Sequence, residues 1–294
     1  LHLCDRRQRQ MCIRDSNFTN VQLLVTGSSS FELQSNLSEP LTGRKYEYHL
    51  YPISTAELYD SQGLLPVKQM FESRLIYGSY PDIINHTDEA KELLMNIANS
   101  YLYKDLLAMN EIRRPILLEK LLIALALQVG SEVSYNEVAQ TIGTDNKTVE
   151  KYIDLLEKCY VIFRLNAFNR NLRTELKKSK KIYFYDNGIR NAVIQNFAPL
   201  SLRQDTGALW ENFFISERIK ANHYNGNYAK SFFWRTTQQQ EIDYIEEADG
   251  NFTAFEMKWN PNKRQITFPS PFLNNYPVKE TVVITPENYL EWVM

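Results

Sequence analysis

The order of apolar and polar positions divides the chain into stretches of different period. Val21 to Thr26 (Val-Gln-Leu-Leu-Val-Thr) is a short buried-type strand. It runs into Gly27-Ser28-Ser29-Ser30, a polar turn suited to start a helix at Phe31. Lys45 to Leu50 reads as a second strand closed by Pro52, after which Ser54 or Thr55 caps a helix holding Glu57 and Leu58. A strand ending in a small polar loop is where open α/β sheets bind ligands, and these pieces form the end of such a domain. From Leu64 to Asn110 the period is helical, broken by the turn Tyr77-Gly78-Ser79-Tyr80-Pro81 and resumed with helical spacing over Ala90 to Met109. Pro115 then fits the first turn of a helix over Ile116 to Val129, followed by helices at Tyr135 to Ile142 and Lys147 to Cys159. The last two are separated by Gly143, with Thr144, Asp145 or Asn146 as cap, which predicts a helix-turn-helix. Strands at Val161 to Phe168 and Lys181 to Tyr185 flank a polar loop and complete a winged-helix pattern. Asp205 and Thr206 cap a helix carrying Trp210, Phe213, Phe214 and Ile219. Alternating strands follow at Phe232 to Thr236, Glu241 to Glu246, Phe252 to Trp259 and Thr281 to Thr285.

Composition changes this picture at one end. Arg6 to Ser16 back-translates into the transposase adapter of short-read sequencing libraries, so residues 1 to 16 are set aside from the fold reading and the genuine frame is expected to begin at Asn17. Removing their four arginines and two aspartates leaves a remainder slightly more acidic than the net charge of −2 of the whole chain. Any nucleic-acid contact must therefore come from a local patch. Two of the three cysteines, Cys4 and Cys12, go with the adapter. Cys159 alone remains, which excludes a disulfide framework and fits a reducing, cytoplasmic setting. The apolar run Ile116 to Val129 is broken by Glu119, Lys120 and Gln128, and no run reaches the roughly 18 to 20 residues of a membrane span.

The sharpest candidate chemistry lies near the C-terminus. Period-two geometry sends Glu241 and Asp243 to one face of a strand and Glu256 and Lys258 to one face of the next. A hairpin across Ala248-Asp249-Gly250 would bring the Asp243 and Glu256 carboxylates together. Two such oxygen donors suit Mg²⁺, a neighbouring lysine would orient or deprotonate an attacking water, and Glu211 on the upstream helix is a further ligand candidate. The catalytic set predicted is Asp243, Glu256, Lys258 and Glu211, with Asp243 and Glu256 as metal ligands. This layout resembles the PD-(D/E)XK nuclease fold. Between Arg164 and Arg190 lie eight basic residues (164, 170, 173, 177, 178, 180, 181 and 190) against Glu175 and Asp186. This basic loop over 170–181 and Lys147 and Lys151 of the second helix predict a DNA-facing wing, against the alternative of a protein-contact scaffold. His49, His86 and His223 are widely spaced in sequence and read as structural or surface residues. Ser28 to Ser30 lack the context of a nucleophile elbow.

Seven short motifs then occur in order: Val25-Thr26-Gly27-Ser28-Ser29-Ser30, Leu41-Thr42-Gly43-Arg44, Tyr51-Pro52-Ile53-Ser54, Gly78-Ser79-Tyr80-Pro81, Tyr183-Phe184-Tyr185-Asp186-Asn187-Gly188, Trp210-Glu211-Asn212 and Glu241-Ile242-Asp243. Together they resemble a prokaryotic AAA-type, P-loop ATPase family whose C-terminal half is a domain of unknown function. The resemblance covers residues 17 to 294. It implies ATP and Mg²⁺ as cofactors of the full-length protein, Ser28 in the sensor strand facing the γ-phosphate, Arg44 as a phosphate-sensing arginine, and a homo-oligomer when the nucleotide domain is complete. The sequence departs from that family in having neither G-x-x-x-x-G-K-[ST] nor an acidic Walker B strand, so it is not expected to bind or hydrolyse ATP by itself. Both are expected upstream of Asn17 in an intact gene. The fold class expected is α/β and α+β, multidomain: a remnant of a P-loop ATPase sheet over 17–58, a helical lid over 59–113, a winged-helix-like unit over 114–190 and a nuclease-like α/β module over 191–294. Three functions compete: an ATPase coupled to these C-terminal modules, a metal-dependent DNA nuclease regulated by ATP, and a non-enzymatic DNA- or protein-binding module.

Overall fold

The computed structural model describes residues 46–102, 114–169, 179–263 and 266–294, with side chains at all but 100–102 and 263. The strand at Val21 to Thr26, Ser28, Arg44 and four of the eight basic positions (170, 173, 177 and 178) lie outside the described residues. Helices α1 (Thr55–Gln62), α2 (Leu64–Gln69), α3 (Phe71–Tyr77), α4 (Pro81–Asn85) and α5 (Ala90–Asn96) come first, α5 continuing as a π-helical stretch over Ile97–Leu102. Next are α6 (Pro115–Leu127), β1 (Glu132–Val133), α7 (Tyr135–Ile142), α8 (Asn146–Lys158), β2 (Ile162–Ala167), β3 (Lys180–Phe184) and α9 (Asn187–Val193). The long helix α10 (Thr206–Tyr224) leads to β4 (Lys230–Arg235), β5 (Glu241–Ala248), β6 (Asn251–Met257), α11 (Ser270–Asn275), β7 (Val278–Ile284) and α12 (Leu290–Val293).

The strands form one mixed α/β sheet in the order β1-β3-β2-β4-β5-β6-β7. Strand β2 lies parallel to β4 and β6 parallel to β7, the other pairs being antiparallel. The β2–β4 pair (Asn166 to Phe232, Ala167 to Phe233) carries the ladder across residue 190, where the sequence pattern divides two modules. One apolar core likewise runs from Leu75 and Leu118 through Ile153 and Phe184 to Phe214, Phe255 and Ile284. Helix α6, begun by Pro115, buries seven of its residues against this core and leaves Ile116, Glu119, Lys120, Ile123 and Leu127 on an exposed face. A smaller cluster of Trp234, Ile242, Ile245, Phe252, Ala254, Phe268 and Phe272 covers the opposite face of β4 to β6.

Most of the predicted elements fall within a residue or two of their expected bounds. Ser54 caps α1 with a complete capping box, its hydroxyl accepting from the Glu57 N–H while Glu57 Oε2 accepts from the Ser54 N–H at 2.8 Å. Asp145 caps α8, accepting from the Thr148 N–H at 2.9 Å. The hairpin turns at Asp249-Gly250 between paired Ala248 and Asn251. Both turn residues have positive φ (50° and 78°), the type I′ geometry that matches strand twist and favours glycine.

Two expectations need correction. Residues 46–50 take no regular structure, and Tyr46, Tyr48 and Leu50 are exposed, so the alternating Lys45 to Leu50 segment has no described strand partner to make it a strand. Asp205 precedes α10 but its carboxylate makes no capping bond. It is taken instead by the buried guanidiniums of Arg190 (2.6 Å) and Arg203 (2.8 Å).

The polar motifs shared between the helical segment and the sheet interlock the fold. Buried Asp186 accepts the Ser79 N–H at 2.7 Å and caps α9 through the Ile189 N–H. A side chain at Gly78 would overlap the Asp186 carboxylate, and one at Gly188 would overlap the Tyr77 carbonyl, so both positions are glycine for want of space. Asn212 pairs with both backbone groups of Phe184 and donates to Asn187 at 2.6 Å, while Asn187 donates to the Leu75 and Leu209 carbonyls. A buried amide left without these partners would cost about 1 to 3 kcal/mol.

Candidate active site at the start of β5

The four predicted residues arrive from three elements. Asp243 is on β5, Glu256 is the next-to-last residue of β6, Lys258 follows that strand, and Glu211 comes from the first half of α10. Lys258 Nζ is 2.8 Å from Glu256 Oε2 and 3.8 Å from Asp243 Oδ2, so both carboxylates converge on one ammonium. Asp243 Oδ2 also accepts the Met257 N–H at 3.0 Å, where the β5–β6 ladder stops beyond the Tyr244–Phe255 pair. A bulge makes this possible. Phe232 pairs with Ile245 and Trp234 with Ile242, so β5 carries one extra residue at Asp243-Tyr244 and strict alternation breaks there. Bulges of this kind re-aim side chains and end pairing beside functional sites.

Glu211 feels the Asp243 charge and has partners that sequence reasoning did not assign. Tyr183 donates its hydroxyl to Glu211 Oε1 at 2.6 Å. Lys181 Nζ lies 3.3 Å from the same oxygen and 2.6 Å from Glu241 Oε1. Arg235 continues the chain outward, 3.7 Å from Glu241 and 3.0 Å from Glu132. The signal for Lys181 is its place directly before the buried run Ile182-Tyr183-Phe184, and it is only 2% exposed. Buried lysines are found paired. It lies in β3, and three more of the eight basic positions also have partners within the fold. Arg164 pairs with Asp154 and Glu157, Arg190 with Asp205 and the Ala126 carbonyl, and Lys180 lies over the Tyr135 ring.

Electrostatics divide the cluster. Burial pushes the Glu211 carboxyl up to about 7; the Asp243 charge adds to the rise, while Lys181 and Tyr183 oppose it. Burial and the same Asp243 charge push Glu256 up to about 7 against the pull of Lys258. Lys258 is drawn the other way. Burial lowers it, but Asp243, Glu256 and Glu211 together raise it above the usual lysine value. A lysine held charged by its neighbours is suited to orienting and neutralising groups beside it. Asp243 and Glu256 are hard oxygen donors of the kind Mg²⁺ takes one or two of, completing its shell with water. Among the described residues no group of three or more His, Cys, Asp or Glu is arranged to hold a metal ion. The donors fit a magnesium ion in kind, with water supplying the rest.

The histidines are closer in space than in sequence. The His49 and His223 rings lie 5.1 Å apart, with Tyr160 bonded to His49 Nδ1 and Tyr51 stacked near both. Burial and His49 lower the His223 pKa. His86 Nδ1 lies 3.1 Å from the Asp82 carbonyl, a local helix-end contact. Among the described residues no helix is long and apolar enough to cross a membrane.

Comparison with known proteins divides the chain in three. Residues 10–59 match an AAA domain, residues 68–200 a domain of unknown function (DUF8612), and residues 206–292 a domain of unknown function (DUF4143). An uncharacterized protein of Haemophilus influenzae is 28% identical over 60% of this chain and 46% of its own length. An uncharacterized protein of Mycobacterium bovis is 23% identical over 92% of this chain and 63% of its own length. One from Methanocaldococcus jannaschii is 23% identical over 79% of this chain and 54% of its own. The chain thus spans about half of these curated relatives' length, and no solved structure matches it. Along the chain the matches run in the order AAA domain, then two domains of unknown function.

Proposed function

We propose that this chain is part of an AAA-type ATPase whose C-terminal half is a PD-(D/E)XK-like, metal-dependent nuclease module joined to a winged-helix-like unit that presents DNA. The convergence of Asp243 and Glu256 on Lys258, at a bulge facing Glu211, carries the reading. Asp243 and Glu256 would hold Mg²⁺, which when bound lowers the pKa of its water and offsets charge gathering on a phosphodiester. Lys258, kept charged by its carboxylate neighbours, orients a phosphate oxygen or the attacking water. The helix pair α7–α8, with β1, β3 and β2 beside it, agrees with a winged helix, and exposed Lys147 stands at the start of α8. The ATP assignment rests on the AAA match; Ser28 and Arg44 are its proposed phosphate-facing residues, and a homo-oligomer is its proposed working form.

The test is cleavage of linear duplex and single-stranded DNA with Mg²⁺ or Mn²⁺. Asp243→Ala and Lys258→Ala should each lose at least about a hundredfold in rate while keeping the wild-type circular dichroism spectrum. Undiminished cleavage in both rejects the site. A second reading, a DNA- or protein-binding module that does not cleave, is favoured by the pairing of the cluster's carboxylates with its own lysines. It predicts salt-dependent duplex binding without cleavage.

A further inference from the structure

Lys181 is an unexpected component of this site. It belongs to β3, on the far side of β2 and β4 from β5 in the sheet order, yet its ammonium ends between Glu211 on α10 and Glu241 at the start of β5. The Phe233 ring lies 5.5 Å away as a third neighbour. Its side chain is 2% exposed, against 17% for Glu211, 28% for Glu241, 15% for Asp243 and 31% for Lys258, so the carboxylates are more open to solvent than the cation that binds them. The two lysines share out the cluster. Lys258 takes Glu256 and stands near Asp243, while Lys181 takes Glu211 and Glu241. In that arrangement no three carboxylates among the described residues are grouped around a common point.

We propose that Lys181 is a built-in counter-cation of the carboxylate cluster, and that a divalent ion binds there in competition with it. The inference rests on the nuclease-like reading of the same site, but it concerns occupancy and not cleavage. A dication held by Asp243 that takes Glu211 as a further ligand must share it with the Lys181 ammonium or displace it, and two positive charges within several ångströms repel. Lys181 therefore draws these carboxylates together and weakens their hold on metal. Because β3 lies within the span that matches one domain of unknown function and β5 within the span that matches the next, the competition ties metal occupancy to the packing between those two parts.

The test is Mn²⁺ binding, followed by electron paramagnetic resonance of the free ion, in wild type, Lys181→Gln, Lys181→Arg and Asp243→Asn, each checked by circular dichroism. Lys181→Gln should bind Mn²⁺ about tenfold more tightly than wild type and Lys181→Arg no more tightly, because only the first removes the charge. Mn²⁺ should also raise the melting temperature of Lys181→Gln more than that of wild type. Equal or weaker binding by folded Lys181→Gln overturns the proposal, as does absence of binding in both. Asp243→Asn separates the two claims. If it abolishes binding while Lys181→Gln is unchanged, only the role of Lys181 falls; if it leaves binding intact, the metal-site reading falls with it. Should Lys181→Gln not fold, the lysine ¹³Cε resonance of wild type, assigned by its loss in Lys181→Arg, must shift with Mg²⁺ at the binding midpoint. A resonance that stays fixed while Mg²⁺ binds overturns the proposal equally.

Discussion

Glu211 and Glu217 lie on the same helix, about 9 Å apart along its axis, and point about 120° away from each other. Both carboxylates are largely buried, yet they end in opposite electrostatic states. Glu217 is met by Arg74 at 3.3 Å, Lys220 at 2.8 Å, and the N–H and hydroxyl of Thr55, both at 2.6 Å. Although burial pushes it up, these partners hold Glu217 down to about 2. Glu211 shares a single lysine with Glu241, accepts one tyrosine hydroxyl and faces the Asp243 charge. Its carboxyl goes up to about 7. Burial alone therefore does not separate an architectural carboxylate from a reactive one. The number of donors aimed at it does, together with whether another carboxylate shares the space. At Glu217 the helix is fastened to α1 and α3; at Glu211 charge is left incompletely balanced, as expected where a ligand completes the site.

The largest effect should come from breaking the balanced end. Glu217→Gln leaves the Arg74 and Lys220 charges buried without a counter-ion and should cost about 3 to 5 kcal/mol in urea unfolding at pH 7. Glu211→Gln removes a carboxyl that is already reluctant to ionise and should be neutral or stabilising. Equal losses would mean that the two ends do not differ as described.

Their pH dependences should run in opposite directions. Glu217 lies below its unfolded value of 4.5, so the stability it contributes is fully present above that pH and is lost as pH falls through about 2. Glu211 and Glu256 lie above 4.5, so folding is favoured while they are protonated, and their contribution declines as pH rises from 4.5 through about 7. The double variant Glu211→Gln with Glu256→Gln should therefore gain on wild type across that window and hold its gain above it, by roughly 2 to 3 kcal/mol in all, since both shifts draw on the same Asp243 charge. Parallel stability curves for wild type and variant from pH 5 to 8 would contradict this.

The same contrast explains what the sequence disclosed. Period and capping rules found α7, α8 and the hairpin at Asp249-Gly250, because those depend on neighbours within a few residues. They also brought Asp243, Glu256 and Lys258 together, since adjacent strands joined by a two-residue turn have fixed register. Local pattern carries no information on Lys181 meeting Glu241 sixty residues away, or Glu217 meeting Thr55 from across the core. Those pairings depend on the parallel β2–β4 contact and on how α10 packs, both non-local. Charge counting likewise does not show that Arg164, Lys181 and Arg190 each meet a carboxylate and Lys180 a ring, because those partners come from elsewhere in the fold.

The smallest predicted effect is the most specific to the unbalanced end. Tyr183 is buried, and its hydroxyl donates to Glu211 Oε1, a bond that favours the ionised carboxylate. Tyr183→Phe should cost about 1 kcal/mol at pH 8, where Glu211 is charged, and less at pH 5. The carboxyl ¹³C titration of Glu211 should move upward by less than about one unit. Asp243→Asn should move the same titration downward, because Asp243 raises Glu211. At the balanced end, Thr55→Val should hardly move Glu217, whose depression comes first from Lys220 and Arg74. If Tyr183→Phe instead leaves the Glu211 midpoint unmoved, the group titrating near neutrality is not Glu211. The proton store of the cluster would then be Glu256 alone.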